Sequence, residues 1–443
     1  MKNIFLFIAF CFFSTLLFAQ KPLRKAFIGL LVKPITEGVR IDSVYPNSTG
    51  SILNLKKNDI ITSINNKEIK TSEAFSSIVS QIRSGDKIEV KVLRGNKALK
   101  YSTKAMTRPF EQSEIADVIY DWVAFKDGYL RTITRKPKSK TNLPCILLIP
   151  GYGCGSIETY SSGYNAKIIS EWIKNGYAVV TIEKSGMGDS YNCAPCAEVD
   201  MIMDIESFNA GYNYMENLDF VDKNNLFIWG HSMGGVIAPE IAKRHNPKGV
   251  MVFGTVFRPW SEFLLEMHRI QKPLLDGLNY QQTETFVRLI QKVYYEFFVL
   301  KKTPAQLYAN PEYKDIVASE LEYKENSTNM WGRHWRFWQQ VDSLNLAVSW
   351  KELNCPVLVL NGGADYEQCA PIEPILIEET VNASHPGNAS RIQIEDLDHF
   401  MMKSNSFKEA VDNFNNKAYA KGNFNSKIAT ETINWLNKNS KIN

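Results

Sequence analysis

A serine between glycines marks the point where a predicted buried strand gives way to a predicted helix. Ser232 is the centre of Gly-His-Ser-Met-Gly at residues 230–234, which follows the apolar run 226–229 and precedes a helix-like run. A serine hydroxyl is a weak nucleophile until a base accepts its proton. The glycines permit a turn so sharp that the hydroxyl stands clear of the sheet at the start of the helix. Ser232 is therefore predicted to be the nucleophile of an acyl-transfer reaction.

A histidine and an aspartate occupy positions from which they could activate this serine. His399 and Asp365 each follow an apolar run that predicts a strand. An imidazole accepts the hydroxyl proton, and a carboxylate holds its tautomer and stabilises its charged form. The other five histidines lack such a position, although His399 could be an ordinary surface-loop histidine. Asp365 could instead be a turn-forming residue, and three other carboxylates could take its role: Glu367, Asp396 and Asp398.

The negative charge that develops on the substrate oxygen needs fixed hydrogen-bond donors. The residue after the nucleophile of such a turn donates its backbone N–H, which assigns one donor to Met233. The loop after the apolar run 145–149 reads Pro-Gly-Tyr-Gly-Cys. We expect the second donor to be the N–H of Tyr152, with Gly153 as the alternative. Another glycine-containing loop, residues 184–190, is interpreted as architecture, because tight turns alone explain its glycines.

The elements that must position these residues alternate between strands and helices. Apolar runs that suit strands buried on both faces are 145–149, 178–182, 226–229, 250–253, 357–360 and 392–394. Helical patterns lie at 167–175, 201–217, 237–244 and 427–437. Before them, residues 118–125 and 130–135 flank Lys-Asp-Gly-Tyr, a hairpin pattern. The alternation predicts an α/β fold with a mostly parallel, doubly wound sheet.

One interval departs from this alternation. Residues 259–350 have helical periodicity and many aromatic side chains, and they separate two predicted strands. We interpret them as an inserted helical cap, which is compatible with ordinary helical packing over the sheet because a cap also buries apolar faces. An aromatic cap favours an apolar or bulky substrate.

From about residue 114 to residue 443 the chain resembles the α/β-hydrolase superfamily, especially its serine peptidase and esterase branches. The resemblance rests on the motif around Ser232, on Gly-Gly-Ala-Asp ending at Asp365, which is similar to the family's G-x-x-D, and on His399 after the next strand. Serine, acid and histidine follow in the family's order. The resemblance implies hydrolysis of an ester or amide through an acyl-enzyme, with no metal or organic cofactor. In the loop that carries the second donor the family usually has His-Gly, and Pro150 replaces that histidine here.

Residues 25–108 resemble a PDZ domain, a small α+β fold. The runs 27–33, 39–44, 59–64 and 87–94 predict strands, and 72–83 predicts a helix. Phe-Ile-Gly-Leu is similar to the family's carboxylate-binding loop, so Ile28, Gly29 and Leu30 are expected to line a groove for a peptide C terminus. Asn58 stands where bacterial PDZ domains usually have Gly, and Asn tolerates a positive φ. The domain could instead only dock onto the enzyme and bind no free peptide.

The first 19 residues predict export to the periplasm or the cell exterior. A lysine precedes the apolar run 4–19, whose 16 residues are fewer than the roughly 20 that span a bilayer. We expect cleavage after Ala19, which would leave no transmembrane segment. Leu17 lies at the −3 position of this cleavage site, where a small residue is usual. An uncleaved membrane anchor is therefore the alternative. Residues 107–113 have the Pro-containing, polar composition of a linker between two domains.

Charge and cysteine content narrow the classes of partner. At 443 residues the chain is longer than one hydrophobic core usually supports, which favours two domains. Its net charge of +4 is small and evenly spread, which argues against a nucleic-acid partner. Removal of the first 19 residues leaves six cysteines, an even number that permits disulfides. Cys193 and Cys196 form a C-x-x-C with no second pair and no redox context, which we interpret as a local loop staple or unpaired thiols.

These expectations combine into an exported serine hydrolase with a PDZ-like domain ahead of it. A carboxylic-ester substrate is favoured over a peptide, and an aminopeptidase or a dipeptidyl-peptidase-like enzyme is the alternative. A rival of another class is a PDZ peptide-binding module with a non-catalytic hydrolase scaffold. The intact set of Ser232, His399 and Asp365 argues against that rival.

Overall fold

The computed structural model describes residues 23–36, 38–138, 140–158, 163–416 and 423–440. The predicted export segment, residues 1–19, lies outside the described residues. The chain divides into two compact units, Met1–Arg108 and Pro109–Asn443. Within the described ranges, no helix combines the length and the apolarity that crossing a membrane requires.

The first unit is a small α+β domain, as predicted. Its elements are β1 (Leu30–Ile35), β2 (Gly38–Val44), α1 (Thr49–Ile52), β3 (Ile60–Ile64), β4 (Lys67–Glu68), α2 (Ser72–Gln81), β5 (Lys87–Arg94) and β6 (Lys97–Lys104). The described strands form one antiparallel sheet in the order β1-β2-β3-β5-β6, with β4 paired to β3. Helix α2 packs against β1 and β2. The sheet and helix bury a core that includes Val39, Ile41, Ile61 and Ile88.

The first strand begins later than the sequence pattern predicts. The apolar run from residue 27 predicts a strand there, but β1 starts at Leu30 because Gly29 has a φ of 66°. A side chain at position 29 would overlap Ser48, whose Cβ would lie 2.2 Å from the added Cβ. Residues 27–29 therefore form a loop. Asn58 has a φ of 72°. A residue that stands where Gly is usual has to adopt such a positive φ, and Asn tolerates it.

The second unit is built on an eight-stranded sheet. The described strands of the unit, eight in this sheet and two in a separate pair, are β7 (Ala116–Phe125), β8 (Gly128–Pro137), β9 (Leu143–Ile149), β10 (Ala178–Ile182), β11 (Val221–His231), β12 (Gly249–Phe253), β13 (Asn329–Met330), β14 (Arg333–His334), β15 (Val357–Gly362) and β16 (Ala389–Ile394). The described strands of the sheet run in the order β16-β15-β12-β11-β9-β10-β8-β7, and β13 pairs only with β14. All neighbours from β16 to β10 are parallel, and β8 and β7 extend the sheet antiparallel.

Helices cover both faces of this sheet. They are α3 (Tyr164–Lys174), α4 (Met201–Glu216), α5 (Met233–His245), α6 (Trp260–Asp276), α7 (Tyr280–Tyr294), α8 (Pro304–Tyr308), α9 (Lys314–Glu320), α10 (Trp335–Ser343), α11 (Leu346–Lys351), α12 (Ile372–Ser384), α13 (Phe407–Asn415) and α14 (Ser426–Asn439). Along β9, Leu147 and Ile149 join the core formed with α4 and α5, whereas Ile146 and Leu148 join the core formed with α3 and α14. Both faces are buried, so the strands have continuous apolar runs. The predicted mostly parallel, doubly wound sheet is confirmed.

A helical insertion separates β12 from β15. It contains α6 to α11, a π-helical turn at Tyr295–Val299, and the short β13–β14 pair. Its aromatic side chains pack on one another: the rings of Trp260 and Trp338 are stacked with centroids 5.6 Å apart, and Trp331 meets Trp338 edge to face at 5.2 Å. The insertion thus has an aromatic core of its own.

Candidate active site

Ser232 lies in the sharp turn between β11 and α5. Its φ of 55° and ψ of −125° are a strained combination for a residue with a side chain. The neighbouring glycines are required by close packing: a Cβ at Gly234 would lie 2.1 Å from the carbonyl oxygen of Ile149, and one at Gly230 would lie 2.5 Å from the carbonyl oxygen of Gly234. The turn also donates a hydrogen bond to the sheet, since Ser232 N–H donates to the carbonyl of Phe253 at 2.9 Å. This packing fixes Ser232 at the carboxyl end of β11.

His399 and Asp365 form a buried hydrogen-bonded pair. The imidazole Nδ1 donates to Asp365, with its carboxylate oxygens at 2.9 and 3.0 Å. The carboxylate in turn accepts the backbone N–H groups of Glu367 and Gln368. Burial opposes the charged imidazole, but the charge and the hydrogen bond of Asp365 outweigh it and raise the pKa of His399. Because Nδ1 carries a proton toward Asp365, Nε2 is the nitrogen that can accept a proton.

The imidazole of the pair and the serine face one cavity. Ser232 and His399 both line it, and so does Gly254. A Cβ at Gly254 would lie 2.9 Å from Asp365 Oδ2 and 3.0 Å from His399 Nδ1, so only glycine fits beside the pair. Ser232 and His399 both belong to the described part of the chain. In this arrangement no hydrogen bond joins the Ser232 hydroxyl to the His399 imidazole. Such bonds are often long before substrate binds and tighten in the reacting complex.

Three other carboxylates were alternatives to Asp365 as the partner of His399, and the structure places each of them differently. Asp396 pairs with Lys427 at 2.8 Å. Asp398 accepts the N–H groups of Phe400 and Met402 and the hydroxyl of Ser404, which shapes the loop that carries His399. Glu367 lines the cavity. Asp365 is therefore the carboxylate that the structure brings to His399.

His231, which precedes the serine, supports the loop of His399. Its Nε2 donates to the carbonyl oxygen of His399 at 2.9 Å, and the two ring centroids are 4.8 Å apart. Burial, together with the nearby charge of His399, lowers the pKa of His231 to about 3. His231 is thus neutral near pH 7 and acts as a hydrogen-bond donor to the backbone.

The two predicted oxyanion donors flank the serine. Met233 is the first residue of α5, so its N–H has no acceptor within the helix. The loop that contains Tyr152 lies against Ser232, since a Cβ at Gly151 would be 3.3 Å from the Ser232 Cβ. Neither amide donates to a backbone acceptor among the described residues. The alternative donor, Gly153, is less closely packed, because a Cβ there would have no described neighbour within 4 Å.

The cavity has a volume of about 660 Å³, which is within the usual range for small-molecule sites. The helical insertion supplies most of its apolar lining: Trp260, Phe263, Leu264, Met267, Trp331 and Trp338. Acidic side chains also line it: Asp276, Glu320, Glu322 and Glu367. Asp276 and Glu320 pair with Lys272. In the described ranges, His, Cys, Asp and Glu side chains form no cluster of three or more that could hold a metal ion.

Sequence reasoning missed a group of buried charges behind the Tyr152 loop. Glu183 and Lys184 follow β10 directly and are 0% and 2% exposed. Asp204 of α4 and Arg333 of β14 are equally buried, and their side chains pair at 2.9 Å. The turns of loop 184–190 do require glycine, but a Cβ at Gly188 would also overlap the Glu183 carboxylate. The available signal was a Glu-Lys pair placed directly after a fully apolar strand.

The cysteine interpretation is partly wrong. Cys196 does not form a local staple with Cys193, because it is bonded to Cys154. Strands β9 and β10 are parallel neighbours, so the loops that follow them meet at one edge of the sheet and bring these two cysteines together. Cys193 is an unpaired thiol, as the alternative interpretation stated.

Comparisons with known proteins agree with this architecture. Residues 145–368 match the family described as serine aminopeptidase, S33, and residues 26–105 match the PDZ domain family. Esterase EstD of Thermotoga maritima is 22% identical over 217 residues, which are 49% of this chain and 44% of that protein. The quorum-quenching protein AidA of Acinetobacter baumannii is 25% identical over 143 residues, 32% of this chain and 45% of that protein. The chain therefore spans less than half the length of these curated relatives.

One solved structure that aligns with this chain does so at low identity. The structure of Est1E from Butyrivibrio proteoclasticus aligns with a TM-score of 0.41 and 15% identity, and the alignment covers 68% of this chain and 96% of that chain.

Proposed function

Because the chain belongs to the serine aminopeptidase S33 family of serine hydrolases, we propose that it is an exported enzyme that cleaves carboxylic esters through an acyl-enzyme on Ser232. The observation that carries this proposal is the buried His399–Asp365 pair, whose imidazole shares a cavity with a serine in a strained turn. The family match favours an enzyme over the alternative of a non-catalytic scaffold.

In the proposed mechanism, Ser232 Oγ attacks the carbonyl carbon of the substrate while His399 Nε2 takes the hydroxyl proton. The oxygen that becomes negative accepts the N–H groups of Met233 and Tyr152. The imidazolium, stabilised by Asp365, returns the proton to the leaving alcohol as the carbon–oxygen bond breaks. A water molecule then attacks the acyl-enzyme while His399 takes its proton; His399 returns this proton to Ser232 Oγ as the acyl–oxygen bond breaks, and the carboxylic acid leaves.

The cavity lining supports an apolar ester. The aromatic and aliphatic side chains of the insertion supply most of the apolar lining of the cavity that Ser232 also lines. Such a wall stabilises an apolar acyl or alcohol group by removing its surface from water. Cleavage of an ester needs no charged side chain beside the leaving alcohol, because His399 supplies the proton that the alcohol takes up.

A peptidase is the second candidate, and the acidic lining favours it. Glu322 and Glu367 line the cavity, and their charges, after the larger effect of burial, raise the pKa of the Tyr152 hydroxyl. Carboxylates this close to the predicted oxyanion loop could pair with the free amino group of a peptide or aminoacyl substrate.

A substrate panel separates the two candidates. We expect the full chain to hydrolyse aryl esters of varied acyl length and to form an acyl adduct on Ser232, detected by mass spectrometry of the quenched enzyme. The matched variants are Ser232→Ala and, as a control, Ser426→Ala at the exposed start of α14. Faster cleavage of aminoacyl or dipeptidyl amides than of all esters would replace the esterase assignment with a peptidase.

We further propose that the PDZ domain binds a peptide C terminus. Strand β1 is an edge strand of its sheet, and α2 lies beside it. The carbonyls of the loop before it accept bonds from the segment that leads into α1: Phe27 from Thr49, Ile28 from Gly50 and Gly29 from Tyr45. In a trans peptide, N–H points opposite to C=O. The amides of Ile28, Gly29 and Leu30 therefore point away from α1, where they could bind a carboxylate.

Peptide titration of the full chain tests this second proposal. A free carboxylate at the peptide C terminus should be required, so we expect a measurable Kd for peptides with a free C terminus and a much weaker one for the same peptides with an amidated terminus. Equally weak binding of both forms would show that the domain only docks.

A further inference from the structure

The loop that follows β9 carries the predicted oxyanion donor Tyr152, and buried groups hold it at several points. Cys154 is bonded to Cys196. Glu183 accepts the hydroxyl of Ser156 at 2.5 Å and the N–H of Ile157 at 3.1 Å. These contacts fix the far end of the loop, beyond Tyr152.

Two buried cations hold the near end. Lys184 Nζ donates to the carbonyl oxygen of Gly151 at 2.7 Å, and Arg333 donates to the carbonyl oxygen of Tyr152 at 2.8 Å. Asp204 lies between the cations, 2.9 Å from the guanidinium and 3.7 Å from the ammonium. Residues Gly151 and Tyr152 thus present both of their carbonyl oxygens to positive charge.

Burying this group of charges is costly unless they are paired. Lys184, Asp204 and Arg333 are each at most 2% exposed. Two cations share one carboxylate, so the group keeps a net positive charge, and the remaining positive charge faces the loop carbonyls. Burial lowers the pKa of Lys184 to about 8, with Asp204 opposing this and Arg333 adding to it. The lysine is therefore mostly charged at pH 7.

The bond from Lys184 determines the direction of the Tyr152 amide. The carbonyl of Gly151 and the N–H of Tyr152 belong to the same peptide group, and in a trans peptide they point in opposite directions. The described chain contains no cis peptide bond. With its oxygen held by Lys184, this peptide group turns its N–H away from the lysine. A Cβ added at Gly151 would lie 3.3 Å from Ser232 Cβ and 3.5 Å from Ser232 Oγ, so this peptide group lies beside the nucleophile.

We propose that Lys184 is a positioning residue of the oxyanion hole, which orients and polarises the Gly151–Tyr152 peptide group so that Tyr152 N–H donates to the reacting oxygen. This inference rests on the proposed function, since it takes Ser232 as the nucleophile and Tyr152 as a donor. The lysine acts through the peptide group and does not touch the substrate. Arg333 holds the next carbonyl and keeps the loop from rotating.

Kinetics of the full chain with an ester that the native protein hydrolyses test this role. Lys184→Met removes the donor and the charge but keeps the length of the side chain, and we expect kcat to fall about 10²-fold, the lower end for loss of one oxyanion donor. KM should change less than about threefold, because the donor acts mainly on the transition state. Lys184→Arg should restore at least a tenth of native kcat.

A second measurement separates positioning from a general loss of structure. A trifluoromethyl ketone forms a tetrahedral adduct with the serine, whereas the matching methyl ketone binds mainly as the ground state. Lys184→Met should weaken inhibition by the fluorinated ketone in proportion to kcat/KM and leave the methyl ketone within about threefold. The control is Lys243→Met on α5, a lysine that pairs with Glu240, and it should keep native kcat.

The outcomes are distinct. A folded Lys184→Met protein with kcat within twofold of native, or with equal losses for both ketones, would overturn the positioning role and leave the proposed function intact. If this variant melts below the assay temperature, Lys184→Gln is measured instead; because it keeps a neutral donor, the loss of kcat should be smaller, and equal losses for both ketones would again overturn the positioning role. Native activity no greater than that of Ser232→Ala would overturn the proposed function itself.

Discussion

At the scale of single residues, the pKa of His399 depends on its contact with Asp365. A buried imidazole ordinarily has a lowered pKa, because burial disfavours its charged form. His231 follows this rule, with a pKa of about 3. His399 is also buried, but the hydrogen-bonded carboxylate raises its pKa instead. The two neighbouring histidines therefore differ in pKa because only one of them bonds to a carboxylate.

This difference predicts the pH dependence of catalysis. His399 must be neutral to accept the proton of Ser232, so activity is present above the raised pKa of His399 and is lost as the pH falls through it. In Asp365→Asn the charge is gone and the pKa of His399 falls. We expect the acid limb of the kcat/KM profile to move to lower pH, while the plateau falls roughly 10⁴-fold because the tautomer is no longer held.

Asp396→Asn is the matched control, because Asp396 pairs with Lys427 rather than with His399. It should leave both the plateau and the acid limb unchanged. An Asp365→Asn enzyme that retains a native plateau, or whose acid limb moves to higher pH, would contradict the assignment of Asp365.

The residues of the site were predictable to the extent that position along the chain determines position in space. In a parallel sheet the carboxyl ends of the strands lie at one edge, so residues after β11, β15 and β16 had to meet there, and Ser232, Asp365 and His399 do. Glu183, Lys184 and Arg333 were not predictable in the same way. Lys184 acts on a backbone carbonyl, and Arg333 comes from the short strand β14 of the insertion, whose path over the sheet does not follow from its helical periodicity.

At the scale of elements, the disulfide joins the loop after β9 to the 3₁₀ turn Cys196–Glu198 that follows β10. It closes a segment of 42 residues in sequence separation, which would stabilise the folded state by up to about 4 kcal/mol through loss of entropy in the unfolded chain. Its place beside the Tyr152 loop links the stability of that loop to the oxidation state of the protein.

Removal of this disulfide should lower the thermal stability of the protein. We expect the double variant Cys154→Ser, Cys196→Ser to have a lower Tm than the native protein and to be unaffected by dithiothreitol, whereas dithiothreitol should lower the native Tm. Cys193→Ser removes an unpaired thiol and is the matched control, with native Tm and native sensitivity to the reductant. If Cys193→Ser lost that sensitivity instead, Cys193 and Cys196 would be the bonded pair.

Sequence patterns located the strands of the second unit well but not every boundary. Strand β10 was predicted at its observed ends, because both faces are buried and the apolar run is continuous. Helix α5 was predicted to begin at residue 237 but begins at Met233, since the glycines that weaken a helical pattern are required there by close packing. Strand β6 was not predicted, because charged residues on its exposed side interrupt the apolar alternation.

At the scale of the whole molecule, a PDZ domain and a serine hydrolase share one chain, and we propose that both act outside the cytoplasm. The apolar run 4–19 after a lysine supports export. The Cys154–Cys196 disulfide fits an oxidising compartment. Both domains were recognisable from sequence because their motifs are local. Their ligands were not, since the cavity wall and the groove are assembled from distant segments.

Export predicts a shortened mature protein. Expression of the full chain in a bacterium with a periplasm should give a product that begins at Gln20, found by N-terminal sequencing of the periplasmic or extracellular fraction. A membrane-bound product that retains Met1 would indicate the uncleaved anchor. An intact product in the cytoplasmic fraction would contradict export.

Covalent labelling tests the central claim, that Ser232, His399 and Asp365 act as one catalytic unit. A fluorophosphonate probe reacts with a serine only when a base activates it. We predict that the native protein and Ser426→Ala are labelled, that the modified peptide contains Ser232, and that Ser232→Ala and His399→Ala are not labelled. Labelling of the native protein no stronger than that of Ser232→Ala, or equal labelling of His399→Ala, would contradict the account.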